Sequence, residues 1–208
     1  MSVPTHKQAF AFLRPLRGRA SVFTVPSRSR NSSVAGFLLG CLAESRTSTM
    51  IFDTSSFYGA NITTLTQSLP KDFLQQSTLI TPPDDVPLED SMTGALTIKT
   101  GAILIDDLNA LHYLLSSGKG RSGTHRLFAF IRLLSYEARI NDLYVFGTVY
   151  MAEGDSAADR ATKRSLSAAA DLQISTDAHS DHITFRCDEI KGWPNNRFST
   201  PLYFDPST

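Results

Sequence analysis

Sulfur and histidine are scarce in this chain: two cysteines, Cys41 and Cys187, and five histidines stand among 208 residues. That excludes a disulfide scaffold, and no cysteine or histidine spacing matches a zinc site, so a reducing compartment, nucleus or cytoplasm, is the expectation and no metal is expected. Long apolar runs are missing too. None approaches the roughly 18 residues of a membrane span, and the N-terminus lacks the continuous apolar stretch of a secretory signal. Acidic residues are absent from Met1 to Ala43, whereas Lys7, Arg14, Arg17, Arg19, Arg28 and Arg30 are basic. Such an acid-poor front leaves three readings open: a mitochondrial transit peptide, a surface for phosphates, or a solvated edge with a frayed tail. Residues 1–19 are accordingly set apart as a basic tail and residues 20–208 as one domain. What is present is ordinary for a folded domain: 41% apolar residues and 19% charged ones, with 20 Lys and Arg against 20 Asp and Glu. That balance excludes a disordered chain and a uniformly basic coat for nucleic acid.

Strand and helix patterns alternate. Ala20–Val25 is β-branched and aromatic, Ser48–Phe52 and Ser77–Thr81 are further short strands, and Ala102–Ile105 is a continuous apolar run that suits a strand covered on both faces. Between them, Val34, Phe37, Leu38, Cys41 and Leu42 form one helical stripe, and Asn61–Leu69 reads as a helix ended by Pro70. Leu108–Ser116 and His125–Arg139 are predicted helices, with Leu127, Phe130, Ile131 and Leu134 on the buried face of the second. Leu143–Val149 is another buried strand. Asp84, Asp85, Glu89 and Asp90 among prolines read as a solvated loop, and Met151–Ala170 as a loop or weak helix. Antiparallel strand signals follow at Asp171–Ile174, His182–Cys187 and Arg197–Phe204, with turns at 177–180 and 192–196. The alternation predicts an α/β domain with a mostly parallel central sheet flanked by helices and extended by C-terminal antiparallel strands.

In such a sheet, chemistry gathers at the C-terminal ends of the parallel strands. A phosphate-binding loop there needs glycines, so that backbone N–H groups can wrap a phosphate, a lysine, and a Ser or Thr for magnesium. The octapeptide Pro26-Ser-Arg-Ser-Arg-Asn-Ser-Ser33 follows the first strand but holds no glycine and no lysine. Ser33 alone matches its position. His179 and His182 flank a turn and are read as a polar hairpin end, and Trp193 as a turn-packing residue.

From residue 20 onward the chain resembles the RecA-like recombinases and their paralogues. Asp53-Thr-Ser-Ser-Phe57 is similar to the family's Asp-Thr-Glu-Gly-Thr-Phe, whose Glu activates the attacking water; here Ser55 stands in its place. Ile103-Leu-Ile-Asp106-Asp107-Leu-Asn-Ala-Leu111 resembles the magnesium-associated strand, Gly118–Gly123 with the following helix is similar to the loop and long helix that come next, and Leu143–Val149 to the strand after them, though without a clear polar sensor at its end. Ile190-Lys-Gly-Trp193 resembles the closing strands.

The resemblance implies a RecA-like P-loop NTPase fold with degenerate nucleotide-binding positions, Arg28, Arg30, Asn31, Ser32, Ser33 and Asp106. With neither the loop lysine nor the glutamate, it implies no catalytic residue and no required cofactor: ATP and magnesium are left open as ligands, without hydrolysis. It also implies that two loops contact nucleic acid, through Lys119, Arg121 and Arg126 and through Arg160, Lys163 and Arg164, most readily single-stranded DNA, with solvated flexible loops as the plain alternative. The expected role is a non-catalytic paralogue that pairs with a RecA-like subunit and assists homologous recombination or DNA repair. Two alternatives remain: a subunit of an Elongator-type ring acting in tRNA modification, and a divergent DNA-dependent ATPase.

Overall fold

Alternation of apolar side chains decides how each strand is buried. The computed structural model describes residues 4–26, 28–60, 63, 67–81, 99–116, 123–151, 160, 163, 168–179, 181–190, 193 and 196–201. Five parallel connections arise from β1 (Arg19–Val25), β2 (Thr49–Asp53), β3 (Thr78–Ile80), β4 (Ala102–Asp106), β5 (Tyr144–Tyr150) and β6 (Leu172–Ala178). Two antiparallel strands, β7 (His182–Arg186) and β8 (Arg197–Pro201), extend the edge, giving the order β3-β2-β4-β5-β1-β6-β7-β8. The predicted α/β class, with its mostly parallel sheet and antiparallel end, is what the chain adopts.

Helices α1 (His6–Leu13) and α2 (Arg28–Glu44) cover one face, and α5 (Leu108–Ser116) and α6 (Gly123–Asn141) the other; the short α3 (Phe57–Ala60) and α4 (Lys71–Gln75) lie near β2 and β3 in sequence. Period-two alternation sends Phe23, Val25, Ile51, Leu104 and Phe146 to the α1/α2 side, and Val22, Met50, Ile103, Ile105 and Val145 to the α5/α6 side. Beyond β1 only one face is apolar: Leu172, Ile174, Ile183 and Phe185 join the α1/α2 core, while Gln173, Ser175, Asp177 and Arg186 stay exposed. Gly147 has a packing reason, since a Cβ there would stand 2.9 Å from Leu108 Cδ1, at the point where α5 sits down on β5.

The structure departs from the sequence reading in four places. Residues 6–16 are no loose tail. Thr5 caps α1 through its hydroxyl and Gln8 bonds back to it, a reciprocal capping box. Ala9, Phe12, Leu13 and Leu16 are buried, so Lys7 and Arg14 sit on the outer side of a packed helix and one 3-10 turn. Helix α2 starts at Arg28, six residues before the stripe that announced it, and β6 runs on to Ala178, past the expected turn start at Asp177. Helix α4 was not anticipated. The expected helix 61–69 falls largely outside the described residues, as do the acidic 82–98 segment, most of the 151–170 span and residues 202–204. Trp193, by contrast, packs as read: it is buried and stacks on Phe12 at 5.4 Å.

Both cysteines are buried and free. Burial and the nearby Glu44 push the Cys41 thiol well above its ordinary range. Cys187 donates to Glu189 Oε2 at 2.9 Å, and burial, then that bond, push it up to about 12. A group raised on folding contributes stability that is complete below its unfolded value, 9.0 for a thiol, and is lost as pH rises toward the folded one. The unfolding free energy from urea titration is therefore expected to fall as pH climbs above 9, by at most about 1.4 kcal/mol per pH unit per thiol. Cys187→Ala should remove one thiol's share of that slope; an unchanged slope in this variant contradicts the assignment.

Candidate functional site

At the C-terminal edge of the sheet, β2 and β4 end together, with Asp53 paired to Asp106 in register. Alternation places both carboxylates on the side of Ile51 and Leu104, beneath α2, and Thr148 of β5 joins them. All three are buried. Thr148 Oγ1 donates to Asp106 Oδ1 at 3.1 Å and Ser55 Oγ to Asp106 Oδ2 at 3.4 Å. Asp53 Oδ2 accepts from the Gly59 N–H at 2.8 Å, and its Oδ1, also buried, has no hydrogen-bond partner among the described residues. Tyr58 lies fully buried against this group; burial first, then Asp106 and Asp53, hold its phenol well above the ordinary range, so the ring stays neutral.

The chain leaving β2 folds back over the end of β4. Thr54 N–H and Ser55 N–H donate to the Asp106 carbonyl at 3.0 and 3.2 Å, and Thr54 Oγ1 reaches the Asp106 and Asp107 carbonyls at 3.0 and 2.8 Å. Asp107 Oδ1 accepts from the Ala110 N–H at 2.6 Å and so caps α5. Asn109 then clamps β5: its Nδ2 donates to the Tyr150 carbonyl at 3.2 Å and its Oδ1 accepts from the Tyr150 N–H at 3.0 Å. These bonds hold two strand ends and a helix start rigid around two buried carboxylates.

The β1–α2 junction is where the octapeptide reading needs correction. Val25 ends β1 and Arg28 begins α2, so only Pro26 and position 27 separate them. Arg28, Arg30, Asn31, Ser32 and Ser33 lie in the helix rather than in a loop, and Ser33 is buried. Two residues, one of them a proline without an N–H, leave no room for a glycine loop, so the backbone donors at this junction are the first N–H groups of α2. Ser55, where the resemblance expects a water-activating glutamate, is a hydroxyl facing Asp106. A hydroxyl is not a base at neutral pH, so this position cannot draw a proton from water.

Of the basic residues singled out from the sequence, Lys119, Arg121 and Arg164 lie outside the described residues. Arg126 is exposed near the start of α6, Arg160 is exposed, and Lys163 is half-buried with its ammonium 5.0 Å from the centre of the Tyr150 ring, at the same edge of the sheet as Asp106. His179 and His182 stack at 4.3 Å across the β6–β7 turn, and the bond from His182 to Asp181, 2.7 Å, holds that exposed carboxyl below its usual range. They form a hairpin end, as read. Among the described residues no three His, Cys, Asp or Glu side chains are grouped to hold a metal ion, and no described helix is long and apolar enough to cross a membrane.

Tyr58 and Thr148 were not read from the sequence as site residues, and Asp53 and Asp107 stood in the quoted motifs without a role. Thr148 was the most legible, as a hydroxyl inside the apolar run Leu143–Val149. Asp107 stands three residues before Ala110 at a helix start, the ordinary mark of an N-cap. Nothing in the sequence alone marks Tyr58.

No protein-family model matches this chain, and no curated protein matches it in sequence. Solved structures do. The crystal structure of the RadB recombinase is similar with a TM-score of 0.67 at 16% identity, over 96% of this chain and 94% of that one. The flagellar accessory protein FlaH from Methanocaldococcus jannaschii is similar with a TM-score of 0.55 at 14% identity, over 89% and 87% of the two chains. Both have the RecA-like ATPase fold, and so does this chain.

Proposed function

We propose that the chain is a non-hydrolysing RecA-like subunit that pairs with a RecA-like partner and assists recombination or repair on DNA. One observation carries the first half: α2 begins two residues after β1, where a phosphate cradle would have to form. Ser55 against Asp106 supports it, because the group that would activate water is a neutral hydroxyl. The scaffold keeps its buried aspartates as structural members, capped and bonded within the chain.

The second half leans on the likeness to the RadB recombinase, which spans almost the whole of both chains. FlaH, with the same fold and a flagellar role in its name, marks the limit of that argument, since a fold alone does not choose a function. The basic residues at Arg126, Arg160 and Lys163, with Lys119, Arg121 and Arg164, supply the chemistry for a phosphate backbone.

Fluorescence anisotropy on a labelled oligo-dT across a salt series tests the DNA half. Binding is expected to weaken with salt, and replacing Arg160, Lys163 and Arg164 together should flatten the log–log slope by about 0.7 per contacting cation removed. An unchanged slope contradicts the assignment of these residues. Tighter salt-sensitive binding to tRNA than to DNA moves the chain to the tRNA-modification alternative.

A further inference from the structure

Helix α6 is apolar on two faces. Leu127, Phe130, Ile131, Leu134 and Ala138 are buried against the sheet and α5. Leu133, Tyr136 and Ile140, at i, i+3 and i+7, make a second stripe that is 44%, 59% and 65% exposed. The main packing partners of α6 are α5, β1 and β5, and Leu127, Phe130, Ile131, Leu134 and Ala138 all belong to the core on that side of the sheet. Exposed apolar side chains that line up as one contiguous stripe, rather than singly, mark a contact surface.

The charges beside the stripe indicate what would cover it. α6 carries Arg126, Arg132 and Arg139 and a single acid, Glu137. Arg139 is engaged by Asp171 at 3.2 Å, and Glu137 accepts from Asn141 at 2.8 Å. Arg132 is exposed; its partner among the described residues is the Phe128 ring, 5.5 Å from the guanidinium carbon, and not a carboxylate. A second copy of α6 would set arginine against arginine with one acid per helix to offset them. Three exposed side chains also fall well short of the roughly 800 Å² per partner of a stable globular interface. A single helix laid along the stripe matches both the size and the charge.

We infer that the outer face of α6 docks an amphipathic helix of the partner protein, with apolar anchors at i, i+3 or i+4 and i+7 flanked by Asp and Glu. The inference rests on the heteromeric reading and adds to it the place and chemistry of a contact.

The probe is a pair of labelled synthetic helices with the same leucine stripe, one flanked by Glu and one by Lys, titrated with the full chain. The Glu peptide is expected to bind more than tenfold tighter than the Lys peptide. Tyr136→Ser with Ile140→Ser should lose at least tenfold of that binding, and Arg132→Glu should reverse the preference. Melting temperatures of these surface variants should stay near that of the parent chain, which separates lost docking from lost folding. Equal binding of both peptides, or binding indifferent to the variants, overturns the inference. So does a concentration-dependent dimer abolished by Ile140→Ser, which would assign the face to a second copy, or binding to phosphatidylserine vesicles in preference to the Glu peptide. Co-sedimentation with a RecA-like partner is scored separately: a complex formed by wild type and variants alike sinks only this docking face, whereas a wild-type chain that stays alone sinks the heteromeric reading.

Discussion

Phe12→Ala is expected to destabilise the chain by about 4 kcal/mol and lower its melting temperature by about 10 °C. The ring is fully buried and is the hub of an aromatic cluster: Phe37 at 4.9 Å, Phe185 at 5.0 Å, Phe198 at 5.1 Å, Trp193 at 5.4 Å and Phe23 at 6.3 Å. These partners come from β1, α2, β7, β8 and the turn between the last two. Truncation removes the hub of five ring pairs and leaves a cavity walled by rigid aromatics that cannot collapse into it. Phe10, two residues away and 59% exposed, is the internal control: Phe10→Ala should change stability by less than about 0.5 kcal/mol. Thermal melts of the two variants decide the matter. Equal, small effects would mean that the first residues are a loose basic tail after all.

Asp106→Ala is expected to cost about 3 kcal/mol, because it leaves the buried Thr148 Oγ1 and the half-buried Ser55 Oγ without their acceptor. Asp106→Asn keeps an acceptor of the same shape and removes one of two carboxylates that end neighbouring strands in register, so it should cost much less. In an enzyme the ranking differs in kind: the Asn variant folds normally and loses activity. Urea titration of the three proteins, with m-values compared, measures the stability ranking. An Asn variant as unstable as the Ala variant would show that the charge itself holds the site together.

The fold was largely legible because its signals are local and repeated. Ala102–Ile105 could only be a strand covered twice, and the stripe Val34 to Leu42 could only be a packed helix face. The start of α2 was not legible, because Ser29, Asn31, Ser32 and Ser33 have weak helical preference and read as loop or cap, while packing downstream extends the helix through them. The tail was misread for a related reason. Its charge is conspicuous, while Ala9, Phe12, Leu13 and Leu16 form a stripe only one helix long, and it gains its meaning from aromatics far along the chain at Phe185, Trp193 and Phe198. Within the site, Asp106 and Ser55 were found through the resemblance. Asp53 and Tyr58 were not singled out, because their role comes from the chain folding back after β2, a feature of tertiary structure that leaves no periodic mark.

A RecA-like scaffold in which α2 starts so soon after β1 is expected neither to bind nor to cleave ATP. Differential scanning fluorimetry with millimolar Mg-ATP, paired with a phosphate-release assay on the same sample with and without single-stranded DNA, tests it most directly. The account predicts no rise in melting temperature and phosphate release at the buffer background, unchanged in Asp106→Asn. A melting temperature that climbs with ATP concentration, together with release that Asp106→Asn abolishes, would contradict it and make the chain a divergent DNA-dependent ATPase.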